Sequence, residues 1–255
     1  MPEPVVAIIV AAGLGRRYGG TKPKPTLRIV GRAVVAMSVE ALAAGGCTHA
    51  VVVINGKTGH LFRAALEGLP IPVVTTTGGE TRQESVARGL EVLHSDPEMA
   101  RASIVLVHDA VRPMVPAHVT EAVIAAVEAG ATAVVPVVKV VDTMRVVDDE
   151  EEGSSRVIDR STLRAVQTPQ GFRLETLLDC HARARQDGVS VTDDASCCER
   201  YGHRVALVPG SPLALKITEP QDLTIARAMW RARAAFGHHS GRRFWRHWPG
   251  KRGRS

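Results

Sequence analysis

The densest run of chemically useful residues is Ala11-Ala12-Gly13-Leu14-Gly15-Arg16-Arg17-Tyr18, followed by Lys22-Pro23-Lys24-Pro25. Glycines directly behind an apolar segment let backbone N–H groups approach phosphate oxygens that a Cβ would obstruct. The cations Arg16, Arg17, Lys22 and Lys24 would suit a triphosphate of about four negative charges. The dinucleotide pattern G-x-G-x-x-G fails because Tyr18 stands where the third glycine should fall, and the P-loop pattern fails as well. Taken alone, the segment reads equally well as a solvated turn.

Three further segments carry possible chemistry. Gly78-Gly79-Glu80-Thr81-Arg82-Gln83-Glu84-Ser85-Val86 sets two glycines before a helix start. Its backbone groups and the Ser85 hydroxyl could read a base edge, although an ordinary turn into a capped helix explains the same residues. In Val107-His108-Asp109-Ala110-Val111-Arg112-Pro113 an apolar strand ends in an acid, with a base three residues on. Ligands of open α/β sheets bind beyond the carboxyl ends of the strands, and Mg²⁺ is held by one or two carboxylates plus substrate phosphates. Asp109 is therefore the candidate Mg²⁺ ligand, with a structural Asp109–Arg112 ion pair as the competing reading. His108 reads as a packed residue and not as a base. The fourth set is dispersed: Asp142-Thr143, Asp159-Arg160, Gln167-Thr168-Pro169-Gln170-Gly171-Phe172, Thr192-Asp193-Asp194-Ala195-Ser196 and Lys216-Ile217-Thr218-Glu219-Pro220-Gln221-Asp222.

These residues need a scaffold, and the hydrophobic pattern supplies one. Pro4 to Ala12 is a continuous apolar run of the kind a fully buried strand requires. Further strands are predicted at 50–54, 72–75, 104–108, 132–138 and 203–208. Helices are predicted near 33–44, 82–94, 116–129 and 174–186. This alternation implies an α/β fold with a doubly wound, mostly parallel sheet. Residues 139–147 and 156–162 break the rhythm: they are polar and β-prone, and they flank the charged turn Asp148 to Ser155. They predict a projecting hairpin arm at 139–162. An isolated two-stranded hairpin is marginal in water, so the arm should pack on a second subunit and make a homodimer.

The formal charge of +6 could suggest nucleic acid, but its location argues otherwise. Six basic residues and no acid lie between Phe236 and Ser255, leaving 26 basic against 26 acidic residues in positions 1–235. The expected organisation is one domain over 1–235, arm included, and a basic, flexible tail over 236–255. The aromatic residues Phe244, Trp245 and Trp248 could let that tail touch RNA, membrane or an acidic partner, but a bland extension explains it as well. Cys47, Cys180, Cys197 and Cys198 have neither CxxC spacing nor a readable disulfide framework, which favours a reducing cytoplasm. The apolar run at 5–12 is too short to span a bilayer, and neither membrane nor nucleic acid is an expected partner.

Taken in order and spacing, AAGxGxR, PK, GGxxRxxSV, VHDAxRP, DT, DR, QTPQxF, TDDAS and KIT-P-D resemble the 2-C-methyl-D-erythritol 4-phosphate cytidylyltransferases of non-mevalonate isoprenoid synthesis. The resemblance covers about Val5 to Trp230. It implies a Rossmann-like nucleotidyltransferase fold and, as substrates, CTP and the methylerythritol phosphate. It also implies that Ala11, Ala12, Gly13, Gly79, Glu80 and Ser85 bind CTP, while Arg17 and Lys24 stabilise charge on its phosphates. Thr143 and Arg160 would reach from the arm into a partner's site. With Arg112, Thr168, Thr192 and Lys216 they would hold the acceptor, and Asp109 would hold Mg²⁺. Three positions depart from the family: Pro25 where Gln is frequent, Ala214 where Asn is frequent, and Glu80 where Asp is common.

The implied chemistry needs no general base, because the nucleophile is an already ionised phosphate oxygen attacking the α-phosphorus of CTP. Cations and positioning must overcome repulsion between two polyanions. A cytidylyltransferase for another polyol phosphate, such as ribitol 5-phosphate, would share the nucleotide half of the site. A dehydrogenase lacks its third glycine, and a silent nucleotide-binding module has no need of Arg17, Lys24, Asp109, Arg160 and Lys216 together.

Overall fold

The computed structural model describes residues 3–13, 23–147 and 154–235. Arg16, Arg17 and Lys22, most of the charged turn and the basic tail lie outside the described residues. Strand β1 (Val5–Val10) lies between β4 (His49–Ile54) and β6 (Ile104–Asp109), parallel to both. Its side chains alternate between two cores. Val6 and Ile8 pack with Val86, Leu90 and Leu177 on one face, whereas Ala7 and Ile9 pack with Val35, Val39 and Val123 on the other. Burial on both faces is why the strand reads as an unbroken apolar run. Outward from β4 the sheet continues to β5 (Val73–Thr77), also parallel.

Beyond β6 the sheet is mixed. β11 (Gln170–Arg173) inserts antiparallel between β6 and β7 (Ala133–Lys139). β10 (Arg164–Val166) runs antiparallel beside the later residues of β7, and β12 (Val205–Pro209) pairs with β7 in parallel. Two small pairs stand apart: β2 (Arg28–Ile29) with β3 (Arg32–Ala33), and β8 (Met144–Val147) with β9 (Ser155–Ile158). The helices are α1 (Val34–Ala44), α2 (Arg82–Ser95), α3 (Ala117–Glu128), α4 (Leu174–Gln186), α5 (Asp194–Arg200) and α6 (Pro220–Ala235). The arrangement is the doubly wound, mostly parallel sheet that the sequence predicts. Among the described residues no helix is long and apolar enough to cross a membrane.

The sequence reading does not contain β10, β11, α5 or α6. β11 is four residues long and only Phe172 in it is a large apolar residue. The seven-residue α5 opens on Asp194, an acid that is nevertheless buried. Both are set by tertiary contacts and not by periodicity. Among the described residues the two arm strands pair only with each other, in the register Met144↔Ile158 to Val147↔Ser155. It leaves Val141, Val147 and Val157 exposed at 76%, 64% and 58%.

Candidate active site

The sheet brings the chemistry together at the carboxyl ends of three adjacent strands. Val10 stands level with Asp109 on one side and with Val53 on the other. The chain then leaves β1 with the Ala11 N–H donating to the Val53 carbonyl at 2.8 Å. Ala11 and Ala12 are buried at the start of the glycine loop, and Gly13 is its last residue before the undescribed stretch. Gly78 closes against this point. A Cβ there would stand 2.6 Å from both the Ala12 Cβ and the Ser85 Oγ, so only glycine lets the end of β1 and the start of α2 approach so closely. α2 begins with a reciprocal cap: Thr81 Oγ1 accepts from the Glu84 N–H at 3.1 Å, and the Glu84 carboxylate accepts from the N–H groups of Glu80 and Thr81. Glu80 itself is exposed, Gly79 lies against the Glu84 side chain, and the buried Ser85 hydroxyl donates to the Thr81 carbonyl at 2.9 Å.

Asp109 is the hub. Lys216 Nζ lies 2.9 Å from its Oδ2, Arg112 Nε 3.4 Å from the same oxygen, and Arg82 Nε 3.7 Å from Oδ1. Burial alone would raise this carboxyl, but Lys216, then Arg82 and Arg112, outweigh it and hold it far below the ordinary carboxylate range. Three cations around one carboxylate leave a local excess of positive charge. The Asp109–Arg112 ion pair of the competing reading is present, and two cations brought from other elements join it.

Behind Asp109 a chain of hydrogen bonds fixes its backbone. The Asp109 N–H donates to Thr168 Oγ1 at 3.1 Å, and His108 Nδ1 lies 3.0 Å from that hydroxyl. His108 Nε2 lies 3.2 Å from the Arg112 carbonyl, which can only accept, so the proton sits on Nε2 and Nδ1 accepts from Thr168. Burial first, with Arg112 and Arg82 adding, lowers the pKa of His108 to about 4, so it is neutral. The packed role predicted for His108 fits this geometry. Thr168 is buried and its hydroxyl serves His108 and Asp109.

The second half of the site is a bridge that the sequence reading does not assign. Arg82 NH1 lies 2.6 Å from Asp194 Oδ2, whose other oxygen is 3.0 Å from His181 Nε2. Asp194 is fully buried. Burial would raise its pKa, but Arg82 and the His181 hydrogen bond hold it low. Gln170 donates to Asp193 Oδ2 at 2.7 Å and accepts from the Ala195 N–H at 3.3 Å, so β11 anchors the start of α5. Gln83 holds the preceding loop through the Val189 carbonyl and the Val191 N–H, both at 3.0 Å. This places Thr192, which is exposed and 3.4 Å from Ser196 Oγ. Arg82 and Asp194 stand inside the quoted motifs, but their partnership spans 112 residues. Periodicity carries no signal for such a pair, nor for His181.

The lysine-bearing segment is tied to the same centre. The Ile217 N–H donates to the Val111 carbonyl at 2.9 Å. Asp222 accepts from the Thr218 N–H, the Thr218 hydroxyl and the Glu219 N–H. Lys24 Nζ reaches the Thr218 carbonyl at 3.4 Å, which brings this lysine beside the segment that carries Lys216. At the two departures, Pro25 is buried in the short helical turn after Lys24, and the Ala214 carbonyl accepts from Arg112 NH1 at 2.8 Å. The backbone at 214 thus serves the cluster without a side chain. Arg17 lies outside the described residues. Thr143 is exposed, and Arg160 NH1 donates to the Val141 carbonyl within the arm. Neither is among the residues that pair with Asp109 in this chain.

A glycine-lined strand end beside a cation-rich carboxylate, at the carboxyl ends of the central strands of a doubly wound sheet, is the arrangement of a nucleotide-dependent transferase of the Rossmann-like class. A family model described as IspD, 2-C-methyl-D-erythritol 4-phosphate cytidylyltransferase, matches residues 5–232. The chain belongs to that family. A protein of that name from Streptomyces coelicolor is 42% identical over 238 residues, covering 89% of this chain and 85% of its own. One from Synechococcus sp. (strain CC9902) is 42% identical, covering 89% and 97%. The crystal structure of the Thermus thermophilus enzyme of the same name is similar with a TM-score of 0.71 and 36% identity, over 89% of this chain and 99% of that one.

Proposed function

We propose that the protein transfers the cytidylyl group of CTP to 2-C-methyl-D-erythritol 4-phosphate, releasing pyrophosphate, in non-mevalonate isoprenoid synthesis. The observation that carries this reading is the convergence of Lys216, Arg82 and Arg112 on Asp109 beside the Ala12, Gly78 and Ser85 junction. The junction is where the cytosine would lie, read by Ser85 and by backbone groups of Ala11, Ala12, Gly13, Gly79 and Glu80. The cations are where two polyanions could be held within bonding distance.

A phosphate oxygen of the acceptor attacks the α-phosphorus of CTP, the new P–O bond forms, and the bond to the β-phosphate oxygen breaks in line with it. No proton need be removed from the nucleophile. Arg17 and Lys24 stabilise charge on the triphosphate. Arg160, Lys216, Arg112, Thr143 and Thr192 orient the acceptor, while the buried Thr168, its hydroxyl proton committed to His108, acts on the site through the Asp109 backbone. Removing one such charge-stabilising donor costs roughly 100- to 1,000-fold in turnover.

The Asp109 site fits Mg²⁺ in a limited way. Among the described residues, Oδ2 is taken by Lys216 and Arg112, while Oδ1 faces Arg82 at 3.7 Å, which leaves Oδ1 as the oxygen for a metal. With three cations nearby, the ion would come with the triphosphate and share its oxygens, as Mg²⁺ commonly does. When bound it would supply Lewis-acid stabilisation of phosphate charge.

The active unit is a homodimer in this reading. Exposed valines on an arm paired only with itself call for a covering surface, and Thr143 and Arg160 lie on that arm. Four buried cysteines, all free, suit a reducing cytoplasm. Pyrophosphate release with CTP, ATP, GTP or UTP, offered against methylerythritol phosphate and ribitol 5-phosphate with and without Mg²⁺, tests the proposal. Activity confined to CTP, methylerythritol phosphate and Mg²⁺ is expected, and equal or greater turnover of the ribitol ester would overturn it.

A further inference from the structure

Three of the four cysteines gather on the side of the sheet covered by α4 and α5. The Cys198 thiol hydrogen-bonds that of Cys180, and Cys197 Sγ approaches the Cys180 carbonyl at 3.5 Å. The turn after α5 bends back so that the His203 N–H donates to the Cys198 carbonyl at 3.0 Å. This sets the His203 imidazole against α4. One carboxylate oxygen of Asp179, the Sγ of Cys180 and one ring nitrogen of His203 all lie within 4.8 Å of one another. Asp179 is exposed, His203 half-buried and Cys180 buried beneath them, a thiol at the floor of a polar mouth.

We propose that Asp179, Cys180 and His203 form a binding site for a thiophilic divalent cation of the Zn²⁺ class, with water completing the coordination. Tetrahedral zinc bonds of about 2.0–2.3 Å place neighbouring ligand atoms roughly 3.5 Å apart. The observed spacing closes to that with small torsions of Asp179 and His203, the two ligands with room to move. Asp179 now faces Arg183 at 3.6 Å across an exposed i,i+4 pair, which is weak and readily exchanged for a metal bond. The donor set of one thiol, one imidazole and one carboxylate selects Zn²⁺ and rejects Mg²⁺, so the site does not compete for the metal of the nucleotide. Burial raises the Cys180 thiol, so binding must expel its proton and strengthens as pH rises.

The position gives the site a structural consequence. Cys180 is followed by His181, whose ring holds the buried Asp194 and through it Arg82. A cation clasping α4 to the turn after α5 would steady that support from behind.

Co²⁺ titration of the full-length protein in the presence of Mg²⁺ tests the proposal. One equivalent should bind with a near-ultraviolet thiolate-to-cobalt charge-transfer band, and Zn²⁺ should displace it. Cys180→Ser should abolish the band. His203→Ala should weaken binding by at least about tenfold, the loss that even an outer-sphere partner can cause. His203→Ala decides the matter even if Cys180→Ser fails to fold. Histidines elsewhere in the chain give no thiolate band, so their binding is distinguishable. A wild-type protein without the band, a band that survives Cys180→Ser, or unchanged Co²⁺ affinity in His203→Ala would each overturn the assignment.

Discussion

Acidification should loosen the protein through His108 before it touches the carboxylates. Its pKa falls from 6.5 to about 4 in the fold, chiefly because it is wholly buried, with the nearby charges of Arg112 and Arg82 adding to the fall. Below 6.5 the unfolded chain takes up a proton that the folded chain refuses. Stability is therefore intact above 6.5 and is lost progressively as pH falls towards about 4. One proton bound by the unfolded chain alone costs the fold about 1.4 kcal/mol for every pH unit, so the loss is about 2 kcal/mol at about pH 5 and about 3 kcal/mol once both states are protonated. Urea unfolding at about pH 7.5 and about pH 5, for wild type and His108→Gln, measures it. The variant should be less stable at the higher pH, since a buried hydrogen-bonded network is disturbed, but its drop between the two pH values should be smaller by about 2 kcal/mol. An identical drop in both proteins would refute the buried, neutral assignment and the proton placement derived from it.

Other consequences follow from the same geometry. Gly78→Ala forces a Cβ to 2.6 Å from Ala12 and Ser85, well inside an ordinary contact of about 3.5–4.0 Å; KM for CTP should rise by about tenfold or more in steady-state kinetics, with fold retained by circular dichroism. Arg82→Ala should lower kcat by roughly 100-fold. Asp194→Asn should lower unfolding stability by about 3 kcal/mol in urea titration, because it breaks a buried ion pair. Val157→Asp on the arm should shift sedimentation towards monomer and lower activity at low protein concentration, with the core fold unchanged.

How much of this was legible in the sequence depended on the range of the interaction. Runs such as Val5 to Val10 and Ile104 to Asp109 announce themselves because burial on both sheet faces demands apolar residues at every position. Asp109 was legible for the same reason: a charge that ends such a strand lies at the sheet's ligand-binding edge. The Arg82, Asp194 and His181 bridge was not, because it joins three helices through contacts that leave no periodic trace. β11 was missed although it seats Gln170, since four residues with one large apolar side chain do not read as a strand. The Arg112 hydrogen bond to the Ala214 carbonyl, 102 residues away, could be recognised only in three dimensions.

Turnover depends on lysines from distant segments meeting at one place. Lys216 reaches Asp109, and Lys24 reaches the carbonyl of Thr218 on the segment that carries Lys216. Steady-state turnover of Lys24→Ala and Lys216→Ala at saturating CTP and methylerythritol phosphate tests this most directly. Each variant should keep its fold and lose roughly 100-fold or more in kcat; kcat within a few-fold of wild type in either would contradict the account.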